Sequence, residues 1–486
     1  MMDETKKEDV LQLENASDTL DKDAAQAEHN SWLNDKPRAA RLRRKMDLRI
    51  LPLCAWMYLL NYLDRGNIGN SKLLNSETGD SLIQQTNMTN LEYAIAVSLF
   101  AVAYAVFEVP SNWIMKRYVR PSRWLATLLL CWGLFTIGFA GVQNFAQVTI
   151  LRFFIGVFEA GFFPGIIFLI TFWYPVEERS VRIAFVLASA TAAGAFGGCI
   201  AYGVGHMNGA AGLEGFRWLF IIEGLITVFC TILTLYCLPD YPSRANFLTE
   251  DDKKFIEARI AVKGGGYTNE HASRREVLET FFGPRMLAHY LAYICNCVPL
   301  GSLTFFTPQI VNGLGFSSIR AQLMTVPPWV CGYFVCLFLG WSADRTNARG
   351  WHVTVSSTIG GIGWLTAGLL PADAYTARYG CLFLCACGAF PSSGPLSAWV
   401  TCNVPSIVTM GIAAAMNNSG AGVSQVIAQW IWITGERESG YPTGNFTCAA
   451  CSFATALLAF GLRLWYGRMN AIGATDARGN KRTWML

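Results

Sequence analysis

The chain has 486 residues, of which 52% are hydrophobic and only 15% charged, against roughly 25% charged in soluble domains. That excludes an ordinary soluble protein, and 13% aromatic residues exclude a disordered one. Fifteen Cys spread over 486 residues do not make a disulfide scaffold. A polytopic membrane protein remains. The net charge of +4 comes from Lys and Arg lying between apolar runs, where it marks topology rather than a nucleic-acid partner.

A helix needs about twenty apolar residues to cross the hydrocarbon. That window selects twelve spans, at 48–69, 91–113, 123–142, 146–173, 181–206, 217–238, 285–309, 321–343, 352–371, 376–399, 405–434 and 446–466. The runs are too continuous for the alternation of a β-barrel. The expected fold is therefore an all-α polytopic membrane protein with two six-helix bundles, at 46–238 and 285–466. Residues 1–45 form an N-terminal tail, acidic and disordered over 1–35, and 467–486 form a C-terminal tail. No cleavable leader is expected. In the central loop, 239–284, Thr249 precedes three acids and then Phe255, Ile256 and Ile260, which predicts an N-capped surface helix.

Lys and Arg counts set the orientation. Segment 36–49 carries Lys36, Arg38, Arg41, Arg43, Arg44, Lys45 and Arg49, and the loop after span two adds Lys116, Arg117, Arg120 and Arg123. Loops on the other side carry about one each, such as Lys72, Arg320 and Arg378. Both tails and the central loop are thus expected in the cytoplasm, with the plasma membrane as the default location. The glycosylation motifs at Asn87 and Asn445 would then face outward.

The loop after span eight, Gly340-Trp341-Ser342-Ala343-Asp344-Arg345 continuing to Arg349, has a basic counterpart after span two, Pro110 to Arg117. Equivalent loops in the two halves read as a duplication, as in many transporters. Asp344, Arg345 and Arg349, with Glu108 near the basic loop of the first half, are expected at the gates.

An ionisable side chain at membrane depth costs roughly 2.5–3.5 kcal/mol on insertion scales, so each one is a functional hypothesis. Asp64 and Arg65 lie in span one, Glu108 in span two, and Arg152 and Glu159 in span four, with Glu223 nearer the outer end of span six. The interiors of spans seven to twelve hold none. Depth along the helices suggests that Arg152 pairs with Asp64. Glu159 lies about 10 Å deeper than Arg152 on nearly the same face. Two cations and two acids supply an anion site, since Arg grips a carboxylate by two parallel hydrogen bonds, together with groups that exchange protons. A static salt-bridge network is the alternative. In the second half, Trp399, Asn417, Asn418 and Gln425 are uncharged candidates for substrate contacts or for interhelical amide bonds.

The run Asn61-Tyr62-Leu63-Asp64-Arg65-Gly66-Asn67 resembles the first-span signature of the anion:cation symporter family within the major facilitator superfamily, and more specifically the fungal allantoate permease group. Glu108-Val109-Pro110-Ser111-Asn112, Phe172-Trp173-Tyr174-Pro175, Arg217-Trp218 to Glu223-Gly224 and Leu238-Pro239-Asp240-Tyr241-Pro242 agree with it. The resemblance implies two six-helix bundles that rock around a central site. It implies substrate contacts at Tyr62, Arg65, Tyr104, Arg152, Trp399 and Asn417 or Asn418, and proton coupling at Asp64 and Glu159. No catalytic group, metal or other cofactor is implied; the partners are a small organic anion, protons and the bilayer, and the carrier works as a monomer. An exporter or carrier of a secondary metabolite with the same fold, and a non-transporting nutrient receptor, remain as alternatives.

Overall fold

The computed structural model describes Trp32 and residues 35–263, 273–346, 348–404, 407–473 and 484–486. The tail over 1–31, which the sequence reads as disordered, lies outside the described residues. Among the described residues there are helices, turns and loops but no strand.

The twelve expected crossings are present, several of them longer than their apolar windows. Span one runs from Lys36 to Leu73. It starts at an Asp35 cap whose Oδ1 accepts from the Arg38 amide at 3.0 Å, and its basic residues form the first turns of the helix rather than a separate tail. Spans two, three, five and six are Asn90–Arg117, Pro121–Gly138, Val176–Gly205 and Gly215–Cys237. Spans seven, nine, ten, eleven and twelve are Pro284–Gly313, Arg349–Leu369, Tyr375–Cys402, Ile407–Trp430 and Pro442–Ile472. Among the described residues, nine of the crossings are long and apolar enough to span a bilayer by length and composition alone. The three outside that set carry Asp64 and Arg65 in span one, a Ser/Thr/Gly-rich stretch in span nine, and the paired amides of span eleven.

Two crossings are interrupted. Span eight is Ser318–Met324 followed by Val326–Thr346. Span four is Phe145–Glu159 followed by Phe162–Trp173. The break in span four follows from packing: a Cβ on Gly161 would overlap the Ser111 hydroxyl of span two. Ser111 Oγ is held in turn by the Trp124 indole at 3.2 Å. The Glu108-Val109-Pro110-Ser111-Asn112 run therefore sets where span four bends, one residue beyond Ala160.

The two halves meet along spans one and seven, two and eleven, and five and eight. At the end far from residue 36 these contacts are tight. A Cβ on Gly69 would overlap the Phe305 carbonyl, one on Gly194 the Trp329 ring, and one on Gly198 Thr325 and the Gln322 carbonyl. The Ser318 amide donates to Glu77 at 2.9 Å, and Gln322 donates to the Asn70 carbonyl at 3.2 Å. That end is closed by direct backbone-level packing. Gly194 and Gly198 of span five are thus close-packing positions.

The central connector is more ordered than a loop. Its first helix, Glu250–Lys263, starts at Thr249, whose hydroxyl accepts from the Asp252 amide at 3.2 Å. Phe255 and Ile256 are buried with Leu248 and Leu238. Arg38 pins the helix to span one, at 2.5 Å from Asp251 and 3.0 Å from Asp252, with its guanidinium 4.8 Å above the Phe255 ring. Asp240 accepts from the Ser122 amide at 2.8 Å and so caps span three.

Candidate functional site

A cavity of about 690 Å³ lies between the two halves. Its inner wall is Tyr58, Tyr62 and Arg65 of span one, Tyr104 of span two and Phe163 of span four, faced by Tyr293, Phe390, Asn418 and Gln425 of the second half. It widens through Phe185 and Val181 at the start of span five and through Trp341, Arg345 and Arg349 around the end of span eight. Trp341 and Val181 are exposed, so the cavity opens at the end that carries the first turn of span one, opposite the closed end.

At the cavity's inner end, Arg65 donates from Nε to Glu159 Oε2 at 2.9 Å, with the Glu159 side chain inaccessible. The Arg65 guanidinium lies 4.6 Å from the Tyr104 ring centre, 5.3 Å from Tyr62 and 5.6 Å from Phe100. Three aromatic faces thus hold a cation out of bulk water. One Arg65 face is in the cavity; its fork is partly taken by Glu159, and Glu159 Oε1 has no hydrogen-bond partner among the described residues.

The expected pairing of Asp64 with Arg152 is not what the structure shows. Asp64 Oδ2 accepts from the Trp132 indole at 2.8 Å and from Thr227 at 3.5 Å, both behind span one. Adjacent residues on a helix point about 100° apart, so Arg65 faces the cavity and Asp64 turns into the bundle. Arg152, 2% exposed, has its guanidinium 5.3 Å from the Phe139 ring and 6.0 Å from Phe100. Its Nε and Nη2 have no hydrogen-bond partner among the described residues. The real ion pair joins Arg65 to Glu159, crossing the pattern that depth alone had suggested.

The remaining candidates divide. Tyr62, Tyr104 and Asn418 line the cavity, as do Arg345 and Arg349 at its mouth. Arg345 stacks on Trp341 at 5.4 Å, and Arg349 Nη1 lies 3.2 Å from Cys402 Sγ. The Asp344 side chain lies outside the described residues. Asn417 is buried and away from the lining. Glu108 accepts from Asn418 at 3.3 Å, bridging spans two and eleven. Trp399 is a correction. It is wholly buried, meeting His289 edge-on at 5.0 Å and Tyr466 at a tilt at 5.7 Å. Its indole donates to the Met485 carbonyl at 2.8 Å, so it holds the end of the C-terminal tail rather than facing the cavity. Asn445 is also a correction: it is 3% exposed, with Nδ2 donating to the Gly440 and Tyr441 carbonyls, and a buried amide cannot take a glycan. Asn87 is exposed in the turn between spans one and two.

Several residues were missed. Tyr58 sits one turn before Tyr62 and shares its face, a signal the spacing carried. Glu178 gathers Arg43 at 3.3 Å, Arg259 at 2.9 Å and Arg182 at 3.9 Å, while Arg182 also reaches Asp47 at 2.9 Å. This ties spans one and five to the connector helix beside the cavity mouth. No sequence spacing announces the indole of Trp132 on Asp64.

Comparison with known proteins places this arrangement. Residues 54–429 match the family model described as Major Facilitator Superfamily. The chain is 46% identical to the MFS transporter prlL of Fungal sp. (strain NRRL 50135), over 90% of each chain. It is 32% identical to the MFS-type transporter cnsO of Penicillium expansum, over 83% of this chain and 79% of that one. An Agrobacterium vitis protein named for tartrate transport is 30% identical over 84% of this chain and 87% of its own. The fold matches a bacterial homolog of the human lysosomal transporter Spinster in an inward-facing, unoccupied conformation. That match has a TM-score of 0.66 at 15% identity and covers 91% of this chain and 100% of the other. A D-xylose-proton symporter matches with a TM-score of 0.64 at 14% identity, over 88% and 99%. By sequence and by fold, the chain belongs to the major facilitator superfamily, a family of membrane transporters of small molecules and not of enzymes.

Proposed function

We propose that the chain is a proton-coupled symporter of a small organic anion, of the anion:cation symporter type and close to the allantoate permease group. It works by alternating access of one central site, as a monomer of two bundles at 46–238 and 285–466. The observation that carries this reading is the Arg65–Glu159 pair at the inner end of the cavity, with a second buried guanidinium, Arg152, whose Nε and Nη2 have no hydrogen-bond partner among the described residues.

The chemistry follows from competition for Arg65. A substrate carboxylate and the Glu159 carboxylate are both acceptors for one fork. A proton on Glu159 weakens its hold and frees Arg65 for the substrate; loss of that proton restores the pair and displaces the substrate. Arg152 supplies the second cation when the closed end opens. A ligand shifts the inward–outward equilibrium only through its differential affinity for the two states, and substrate plus proton together provide it. Positive-inside counting puts residue 36 and the central connector in the cytoplasm, so the open end faces inward in this conformation. The plasma membrane is the expected location. The tartrate-named relative is in keeping with a carboxylate cargo.

A second reading is export, or carriage, of a larger secondary metabolite. It is favoured by the aromatic and apolar wall formed by Tyr58, Phe163, Tyr293, Leu300 and Phe390. Reconstituted protein separates the two. Symport predicts uptake of labelled carboxylates driven by outside acid; export predicts uptake into inverted vesicles instead. Ligand binding without flux in either orientation would instead indicate the nutrient receptor.

A further inference from the structure

Glu223 of span six is 1% exposed and takes no part in the Arg65–Glu159 pair. Asn67 of span one donates to its Oε2 through Nδ2. Among the described residues, two polar atoms of this contact have no partner: Glu223 Oε1 and Asn67 Oδ1. They belong to the same two facing groups. A carboxylic acid and an amide close a ring of two hydrogen bonds, O–H to the amide oxygen and N–H to the carboxyl oxygen. A single proton on Oε1, with no cation, satisfies both orphaned atoms at once. An ionised Glu223 leaves both unsatisfied and buries a charge with no cationic partner.

The surroundings agree. Of the elements packed on span six, span one brings Asp64 as the charged neighbour of Glu223 among the described residues. Thr227, one turn along span six, donates to Asp64 Oδ2 at 3.5 Å and to the Glu223 carbonyl at 3.0 Å. Asp64 and Asn67 are likewise one turn apart on span one. The two acids therefore form adjacent rungs, with Glu223 nearer the closed end. The cluster of Asp64, Glu159 and Glu223 holds three acids against Arg65 and Arg152, and one proton balances it.

We propose that Glu223 is a further proton-carrying site of the transporter, beside Glu159 and Asp64, paired with Asn67 and set one helical turn from Asp64 toward the closed end. Resting on the proton-coupled reading above, this makes Asp64 and Glu223 a pair in which ionisation of one retains the proton on the other. When the closed end opens to the outside, Glu223 is the first of the two to meet water: its O–H bond forms with a proton from that side, and Asp64 is filled next.

The test uses the full chain. Glu223→Gln keeps a neutral two-bond pair with Asn67 and so spares the packing. Expected results are loss of one carboxylic-acid C=O band from the infrared spectrum relative to wild type, and a shift of that band in Asn67→Ala. Proton-driven accumulation in E223Q should fall about tenfold or more, the scale of a site-to-site coupling, with substrate counterflow retained. If E223Q loses no acid band, or accumulates substrate like wild type, the assignment is wrong. If wild type itself shows no proton-driven accumulation, the symport reading fails, and the infrared comparison still decides whether Glu223 holds a proton.

Discussion

Arg65 on span one and Glu159 on span four are joined at 2.9 Å, Nε to Oε2, at the point where the cavity stops. Breaking such a buried pair by removing one partner costs about 3–5 kcal/mol. In Glu159→Gln that cost falls on an unpaired Arg65, which a carboxylate substrate can relieve. Thermal unfolding should therefore show a lower Tm for E159Q and a larger Tm rise on adding substrate than wild type shows. Equal rises in the two proteins would mean that substrate does not take Glu159's place.

Arg152 is buried, and two of its guanidinium nitrogens have no hydrogen-bond partner among the described residues. If it binds the anion in the outward state, Arg152→Gln removes charged hydrogen bonds of about 1.5–3 kcal/mol. The expected outcome is a KM for uptake from the outside raised about ten- to hundredfold. Arg152→Lys should restore little, because a point charge lacks the fork.

At the closed end a Cβ on Gly194 would overlap Trp329, so closure there depends on this glycine. Gly194→Leu is expected to hold spans five and eight apart. A cysteine placed near Glu77 should then react faster with an impermeant thiol reagent added outside, while net transport drops sharply. Unchanged reactivity would show that this contact does not close the gate.

The two glycosylation motifs differ in access. Asn445 is buried and Asn87 exposed. On the proposed orientation, with residue 36 in the cytoplasm, Asn87→Gln should remove any glycosidase-sensitive shift on a gel and Asn445→Gln should leave it unchanged. A shift that depends on Asn445 would contradict the burial.

The end of the C-terminal tail is tied to span ten. The Met485 amide donates to Asn403 Oδ1 at 2.9 Å, and Asn403 Nδ2 donates to the Met485 carbonyl at 3.1 Å. Asn403→Ala takes the partner from the Met485 amide, while the Met485 carbonyl keeps the Trp399 indole at 2.8 Å, a loss of about 0.5–1.5 kcal/mol. Removal of residues 484–486 should lower Tm similarly, and the double change should add little more.

The crossings were legible because the bilayer imposes length and apolarity on each of them. Membrane-depth charges stood out because they are rare. Their partners did not, because depth along a helix says nothing about rotation: Arg65 and Asp64 are at one depth, yet one faces the cavity and the other Trp132. Nor did sequence show that span four breaks after Glu159, since the cause is the Ser111 hydroxyl of another helix. Trp399 was misplaced for a related reason: its binding partner, Met485, is distant in the chain. Glu223 looked peripheral because an outer position in a span hides a neighbour such as Asn67.

The most direct measurement of the central claim is flux in liposomes containing the purified protein, with the outside acidified. Labelled tartrate, nicotinate, pantothenate and allantoate would be offered in turn. Accumulation of at least one acid above its external concentration, abolished by a protonophore and by Glu159→Gln, is the predicted result. If a carboxylate is carried equally well with and without the pH gradient, and E159Q matches wild type, proton-coupled anion symport through the Arg65–Glu159 site is contradicted.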